Sequence, residues 1–168
     1  MNIITTCGLR LVDELGRERI FNGINLCDKS VYNPDEKQGY DEAELDTLLR
    51  RFRDAGLNLI RLGFTWAKLE PEQGVYNEAY IDNIAMLLDK CEQYGIYVYL
   101  DMHQDVYAAA IGADGAPDWA VLTDGHEIKP AKFVWAEPYF WGKACHAAFD
   151  NFWKNTPVNG KGLQESYA

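Results

Sequence analysis

Three side chains that could do acid–base or hydrogen-bonding chemistry directly follow an apolar run. Residues Ile96–Leu100 form this run, and Asp101, His103 and Asp105 come next at alternate positions. A continuous apolar run is typical of a strand buried on both faces of a parallel sheet. Alternate residues of an extended chain point to the same side, so the sequence predicts one polar cluster. Many α/β enzymes bind ligands at this end of their strands.

The role of this cluster is open at the level of sequence. A histidine beside a strand is commonly a hydrogen-bonded core or loop residue, but the carboxylates flanking His103 favour a ligand-binding pocket. His103 and the two aspartates could also ligate a metal, yet three alternating residues of one strand seldom converge on one ion. The four cysteines are far apart and lack Cys-x-x-Cys spacing, so a zinc site is not indicated. We expect no metal and no cofactor.

A second polar side chain, Arg61, follows Leu59 and Ile60 near the end of another predicted strand. Burying a guanidinium is unfavourable unless a carboxylate pairs with it. Arg61 could form a local ion pair with a nearby Asp or Glu. It could instead lower the pKa of a catalytic Glu and keep that residue ionised. The sequence leaves both interpretations open.

The elements that must position these residues follow a repeated order of strand, loop, helix and turn. Asp41 with Glu44 three residues later indicates a helix start, and Gly56 indicates its end. A second helix is predicted from Asn77 to Gly95 by the same signals. Repeated βα order predicts a parallel sheet. The predicted strands are Phe21–Leu26, Leu57–Gly63 and the run from Ile96, and residues 64–76 are predicted to be a loop. A hairpin over about residues 8–21, with strands at 9–12 and 19–21, is predicted to precede them.

The last third of the chain is less regular. Residues 106–138 are rich in Ala, Gly and Asp and predict a long insertion loop, which in compact domains is usually functional. Residues 140–153 have helical periodicity, and another helix begins at Leu163. The 168 residues supply three core strands, whereas a (β/α)₈ barrel needs about 250 residues. We therefore expect either one partial barrel domain over 1–168 or a smaller α/β domain.

Composition excludes several classes of protein. The net charge of −10 argues against nucleic-acid and anionic-membrane partners, because phosphate binding uses clustered Lys and Arg. No signal peptide is visible at the N-terminus and no apolar stretch is long enough to span a bilayer, so we expect a soluble chain. Nucleotide-binding glycine motifs and the serine-hydrolase elbow are absent from the sequence.

Five blocks of sequence in this order resemble glycoside hydrolase family 5, and in particular its endoglycosylceramidase-like branch. The resemblance extends from about Leu9 to the last residue, and the ordered series is more specific than any single block. The blocks are residues 21–26 (FNGINL), 58–66 (NLIRLGFTW), 69–77 (LEPEQGVYN), 98–105 (VYLDMHQD) and 115–120 (GAPDWA).

The resemblance implies a TIM-barrel retaining β-glycosidase that uses two Glu residues on a β-linked glycan or glycolipid. It implies that Arg61 contacts the nucleophile and that His103 lies in the subsite for the sugar. Asp105 and Lys29 match contacts to sugar hydroxyls. Trp66 and Trp119 could supply stacking surfaces, although core packing explains either tryptophan equally well. Parent enzymes of this branch are often secreted.

The sequence departs from the family at the catalytic acid/base. That Glu lies in an Asn-Glu-Pro motif, which this chain lacks. The nearest candidate, Glu137 before Pro138, is predicted to be an insertion-loop residue, and the nucleophile would fall beyond Ala168. We expect the chain alone to be inactive. The alternative is a non-catalytic half-barrel that binds carbohydrate, or that associates with itself or another chain through an exposed sheet edge.

Overall fold

The computed structural model describes every residue from 1 to 168, and the chain divides into two compact units. Each unit is made of three separate stretches of chain. The first unit contains Met1–Cys27, Tyr40–Leu62 and Asn83–Leu100, and the second contains Asp28–Gly39, Gly63–Asp82 and Asp101–Ala168.

The chain begins with an antiparallel hairpin of two short strands, β1 (Thr5–Cys7) and β2 (Arg10–Val12). The sequence predicted a hairpin whose second strand would lie at residues 19–21. In the structure those residues are not a strand, although the backbone N–H of Arg19 donates to the carbonyl of Leu11 at 2.8 Å. The predicted second strand therefore lies beside β2 without forming a full ladder.

Three strands form a parallel sheet, in the order β3 (Gly23–Cys27), β4 (Leu59–Phe64) and β5 (Tyr97–Met102). The α/β class and the three predicted core strands are confirmed. Gly23 permits close contact between β3 and β4, because a Cβ at this position would lie 2.9 Å from the Leu59 carbonyl oxygen.

The helices between these strands are α1 (Glu42–Asp54), α2 (Trp66–Leu69) and α3 (Glu78–Gln93). Asp41 caps α1 as predicted, since its carboxylate accepts the backbone N–H groups of Ala43 and Glu44 at 2.9 and 3.1 Å. The region containing α2 was predicted to be a loop, and this prediction was wrong. Four residues make a single turn, which is too short to produce a detectable helical period.

The core of the first unit is built from the apolar faces of α1 and α3 and from β4. Helical spacing places the leucines of α1 on one side of the helix, where they leave water together. The buried members of this core are Leu45, Leu49, Ile60, Leu62, Leu87, Cys91 and Ile96.

The second unit contains the predicted insertion, a single 3₁₀ turn at Asp118–Ala120, and three more helices. The helix predicted over 140–153 is two helices, because Gly142 is extended and separates them. A Cβ at Gly142 would lie 2.7 Å from the Pro138 carbonyl oxygen, so this break needs glycine. The helices are α4 (Glu137–Trp141), α5 (Lys143–Trp153) and α6 (Leu163–Tyr167), and the short strands β6 (Pro157–Val158) and β7 (Lys161–Gly162) precede α6.

The second unit has a core of its own. Its buried apolar residues are Trp66, Val106, Tyr107, Ala108, Ile111, Ala116, Ala120, Cys145, Ala148 and Leu163. Many of these belong to the irregular segment after β5, so the insertion is a packed part of the unit. No helix of the chain has the length and apolar character needed to cross a bilayer.

Candidate functional site

The structure brings three of the predicted site residues together directly after the strands. Lys29 lies two residues after β3, and its ammonium contacts Oδ2 of Asp105. His103 follows the last residue of β5, and its Nε2 lies 3.4 Å from the same Asp105 oxygen. A residue that sequence reasoning missed, Asp114, completes the group, with Oδ2 3.8 Å from the Lys29 Nζ. We call these four residues the charged cluster.

Carboxylates lie near both ring nitrogens of His103. Nδ1 lies 3.0 Å from Oδ2 of Asp101, and Nε2 lies near Asp105 and 4.0 Å from Oδ1 of Asp114. The alternation of Asp101, His103 and Asp105 therefore produces a series of contacts along the end of β5. These contacts fix the orientation of the imidazole, because each ring nitrogen has an oxygen within reach.

Electrostatics keep the Asp105 carboxylate ionised. Burial by itself would raise the pKa of Asp105, but the hydrogen bond and charge of Lys29 and the contact with His103 together lower this pKa below its ordinary value. An ionised carboxylate accepts hydrogen bonds through both oxygens, while an ammonium donates up to three. The cluster therefore offers matched donors and acceptors, which is what a ligand with neighbouring hydroxyl groups requires.

The backbone after His103 turns sharply and presents Asp105 to the cluster. Val106 and Tyr107 both have positive φ, at 46° and 77°, which is unfavourable for these bulky residues. Tertiary hydrogen bonds hold the turn. The N–H of Val106 donates to the Tyr139 hydroxyl at 2.7 Å, and the N–H of Tyr107 donates to Oε1 of Gln104 at 2.9 Å.

Asp114 reaches the cluster because its segment pairs with Asp105 through the backbone. The N–H of Asp105 donates to the Asp114 carbonyl at 3.0 Å, and the N–H of Asp114 donates back to the Asp105 carbonyl at 3.2 Å. The Asp105 N–H also lies 3.1 Å from Oδ1 of Asp114. Nothing in the sequence indicates this pairing, because the two residues are nine positions apart within an irregular segment.

A buried lysine supports the segment that carries Lys29. Lys68 on α2 is 0% exposed, and its ammonium donates to three oxygens on the two residues that flank Lys29. The acceptors are Oδ2 of Asp28 at 2.6 Å, the Asp28 carbonyl at 3.1 Å and Oγ of Ser30 at 2.9 Å. The backbone on both sides of Lys29 is thereby fixed. Sequence reasoning missed Lys68, because a lysine in a short loop is normally exposed.

The two predicted tryptophans pack against each other. Trp66 is buried, and its ring meets that of Trp119 edge to face with centroids 5.1 Å apart. Glu70 anchors both rings, because its carboxylate accepts the Trp66 Nε1–H at 2.7 Å and its carbonyl accepts the Trp119 Nε1–H at 3.1 Å. Because Trp66 is buried, little of its ring surface is accessible to a ligand. Trp66 therefore packs as a core residue.

An apolar cleft of about 250 Å³ adjoins His103. Besides His103 and Gln104, aromatic and aliphatic side chains line it, including those of Tyr107, Phe149 and Trp153. A cleft of this kind beside charged groups suits a ligand with one polar part and one apolar part.

The two remaining predicted residues lie elsewhere in the chain. Arg61 is half-buried on β4 and belongs to the first unit. Glu137 is the first residue of α4, where an insertion-loop position was predicted. Its carboxylate accepts the backbone N–H groups of Lys132, Phe133 and Val134 at 2.7, 2.7 and 3.2 Å. These hydrogen bonds, that from Lys132 first, lower the pKa of Glu137.

A metal could be considered at the charged cluster, because ligand atoms of His103, Asp105 and Asp114 lie within 4.8 Å of one another. The ammonium of Lys29, however, already contacts Asp105 and lies close to Asp114. A cation would have to displace this ammonium, so these residues suit an internal ion-pair network better than a metal centre.

A parallel α/β sheet with polar side chains directly after its strands is an arrangement in which enzymes of the α/β class bind ligands. Comparison with known proteins gives the particular family. The chain belongs to glycosyl hydrolase family 5, the cellulase family, whose sequence model matches residues 12–155.

Relatives within this family cover nearly the whole chain. An endoglycoceramidase of Cyanea nozakii is 37% identical over 95% of this chain, and one of Hydra vulgaris is 34% identical over 94%. The solved structure of endo-glycoceramidase II from Rhodococcus sp. is 36% identical over 93% of this chain, with a TM-score of 0.73. Its complex with ganglioside GM3 superposes with a TM-score of 0.75 at 34% identity.

The chain matches only part of the length of each relative. The chain spans about a third of these relatives, covering 35% and 34% of the two endoglycoceramidases and 35% of the Rhodococcus chain. The three-stranded sheet and its helices therefore correspond to part of a TIM barrel, which confirms the predicted partial-barrel class.

Proposed function

We propose that this chain supplies the sugar-binding part of a retaining β-glycosidase that acts on glycolipids. The observation that carries the proposal is the charged cluster of Lys29, His103, Asp105 and Asp114. Its donors and acceptors lie directly after strands in a chain that belongs to a glycoside hydrolase family. In this proposal residues 1–168 are one partial catalytic domain, with the insertion after β5 as part of its binding surface.

The roles of the residues follow from their chemistry and from the family resemblance. Asp105 accepts hydrogen bonds from sugar hydroxyls, and Lys29 donates to the hydroxyl oxygens. His103 contacts the same sugar with an orientation fixed by Asp101. Arg61 is assigned by the resemblance alone to hold the nucleophilic Glu ionised. Trp119 remains the better of the two tryptophans for contact with a ligand, because it is only half-buried.

We propose further that the chain alone does not hydrolyse glycosides. A general acid in a glycosidase needs a raised pKa, whereas three backbone donors lower the pKa of Glu137. Those donors also occupy its carboxylate within a local turn. Glu137 is thus better suited to holding residues 132–134 than to protonating a leaving group.

The glycolipid part of the proposal draws on the relatives and on the cleft. Three curated relatives are endoglycoceramidases, and one similar structure holds a ganglioside. A ganglioside joins a polar sugar to an apolar lipid. The charged cluster and the adjoining apolar cleft lined by Tyr107, Phe149 and Trp153 have the same combination of properties.

Titration calorimetry with lactose tests the sugar-binding role. We expect measurable binding by the 168-residue chain and a loss of at least about tenfold in affinity for Asp105→Asn, since charge-assisted hydrogen bonds are lost. Asp118→Asn is the matched control, because Asp118 is exposed in the same insertion. Equal affinities for the two variants, or no binding by the unchanged chain, would contradict the proposed role.

An activity assay tests the proposed inactivity separately. The purified chain is expected to release no product from an aryl β-glycoside. Turnover that disappears in Glu137→Gln would overturn the assignment of Glu137 to a turn and would establish this chain as a complete catalyst.

A second candidate function is a half-barrel that pairs with another chain. The observation that favours it is the position of β5 at the edge of the sheet, with Tyr99 and Leu100 exposed on it. An exposed sheet edge that carries apolar side chains invites pairing. A stable monomer in analytical ultracentrifugation, with one cooperative thermal transition, would exclude obligatory association.

A further inference from the structure

The second unit exposes an unusual concentration of large apolar side chains within one short stretch. We call residues 128–143 the aromatic segment. Phe133 is 92% exposed and Trp141 is 75% exposed, and four further large side chains in the segment are also on the surface. Single exposed apolar residues are normal, but several large ones within one short stretch indicate an interaction surface. The full set is Ile128, Phe133, Val134, Trp135, Phe140 and Trp141.

The segment is held in shape before any partner binds. The Glu137 carboxylate fixes the backbone at Lys132, Phe133 and Val134. Pro138 is buried in the first turn of α4, and the rings of Phe140 and Trp141 lie 5.5 Å apart. A preformed surface loses little conformational entropy on docking, so these side chains are already arranged for contact with a partner.

The charges of the segment differ from those of the chain. The net charge of −10 predicts weak interaction with anionic surfaces, yet this segment contains Lys129, Lys132 and Lys143 and a single carboxylate, Glu137. The backbone N–H groups already occupy that carboxylate. Lys129 has a partner in Glu127 at 3.8 Å, but both side chains are mostly exposed and the pair is weak. The surface here is therefore locally basic.

The lysines adjoin the aromatic surface. Lys129, Lys132 and Trp141 together line one depression, and Lys129, Trp141 and Lys143 line another, to which Glu127 also belongs. Aromatic rings with adjacent lysines are the combination that binds at the boundary between lipid headgroups and acyl chains. Charges elsewhere on the protein are screened over about 10 Å at 0.1 M salt, so the local surface decides the interaction.

We propose that the aromatic segment docks the protein on the surface of a lipid bilayer that contains anionic headgroups. Phe133 and Trp141 enter the headgroup boundary, and the lysines contact lipid phosphates and carboxylates. The segment lies on the surface and does not span the membrane. This inference rests on the exposure of the apolar side chains and on the lysines of the aromatic segment. It adds to the proposed function a way for the protein to reach a substrate anchored in lipid.

Vesicle sedimentation with the 168-residue chain tests the proposal. Phosphatidylcholine vesicles with and without phosphatidylserine are the probes, and neither contains glycolipid. We expect binding that is stronger with phosphatidylserine and weaker at high salt, with a blue shift of tryptophan fluorescence. Phe133→Ser and Trp141→Ser are each expected to reduce partitioning by about tenfold. Lys132→Glu is expected to weaken the preference for phosphatidylserine.

The matched control is Tyr76→Ser, because Tyr76 is 51% exposed but lies outside the segment and outside the proposed binding site. It should leave vesicle binding unchanged. No binding by the unchanged chain would overturn the proposal, as would equal losses for Tyr76→Ser and Trp141→Ser. If the chain self-associates without binding vesicles, and Trp141→Ser removes that self-association, the segment is a protein interface. This result would also overturn the proposal. Asp105→Asn should bind vesicles as the unchanged chain does. Failure of the membrane-docking proposal can therefore be distinguished from failure of the proposed sugar-binding role.

Discussion

Replacement of Lys68 by Met is expected to lower the free energy of unfolding by about 3 kcal/mol. The buried ammonium of Lys68 donates to Asp28 and Ser30, and methionine preserves most of the volume but none of these hydrogen bonds. Breaking a buried ion pair by removing one partner typically costs 3–5 kcal/mol. We take the lower end, because the Asp28 side chain is 25% exposed and regains some hydration. Urea unfolding followed by circular dichroism measures the change.

This loss should depend on pH in a defined direction. Burial would raise the pKa of Asp28, but hydrogen bonds from Lys68 and Ser30 lower this pKa in the folded chain. A carboxylate whose pKa is lowered by folding stabilises the protein fully above its unfolded pKa of about 4. The contribution disappears as the pH falls through the lower folded value. The difference between wild type and Lys68→Met should therefore be largest above about pH 4 and shrink below it.

Lys90→Met is the matched control for this effect. Lys90 pairs with Glu42 and Asp46 between α1 and α3, but its main partner Glu42 is 66% exposed. Exposed ion pairs contribute little to stability, so this variant should unfold almost as the wild type does. Lys68→Met should also weaken lactose binding, because Asp28 and Ser30 flank Lys29. Equal stability of the two variants would show that the buried network is not important for this unit.

Gly115→Ala is expected to destabilise the chain by about 4 kcal/mol, from two effects of similar size. Gly115 has φ of +133°, a conformation that residues with a Cβ rarely adopt. Its Cβ would also lie 2.5 Å from the Tyr107 carbonyl oxygen and 2.6 Å from the Gln104 Cβ. These neighbours belong to the turn that presents Asp105, so relief of the overlap would move the charged cluster.

Gly112→Ala separates the two effects. Gly112 has a similar φ of +143°, but no atom lies within 4 Å of the Cβ that would be added. Only backbone strain remains, and we expect a loss of about 2 kcal/mol. Thermal and urea unfolding of both variants, with lactose binding measured in parallel, provides the comparison. A Gly112→Ala variant as unstable as Gly115→Ala would contradict the proposed close contact with Tyr107 and Gln104.

Sequence reasoning predicted the elements whose signals are local. Asp41 as a helix cap and Gly56 and Gly95 as helix ends all concern groups within a few residues of one another, and the apolar runs gave the three strands. It also placed His103 and Asp105 correctly after β5, because alternation along a strand is a local rule. The predictions were wrong where a single helical turn formed, as in α2, and where one glycine divided a predicted helix into two, as at Gly142.

The parts of the site that sequence reasoning missed depend on distant contacts. Asp114 reaches Asp105 only because an irregular segment folds back and pairs through its backbone. Lys68 is buried only because oxygens of residues 28–30, about forty positions earlier in the chain, surround its ammonium. Neither arrangement has a period or a spacing from which it could be predicted. Charged residues in irregular segments are therefore the ones whose roles needed the structure.

The strand order β3-β4-β5 has a consequence for how the chain folds during synthesis. The strands lie in the sheet in the order in which they are translated. Each of β4 and β5 therefore pairs with a strand that has already been synthesised. Only α1 lies between β3 and β4, and only α2 and α3 lie between β4 and β5, so each of these two pairings closes a short stretch of chain. Vectorial assembly of this sheet can therefore proceed one βα unit at a time.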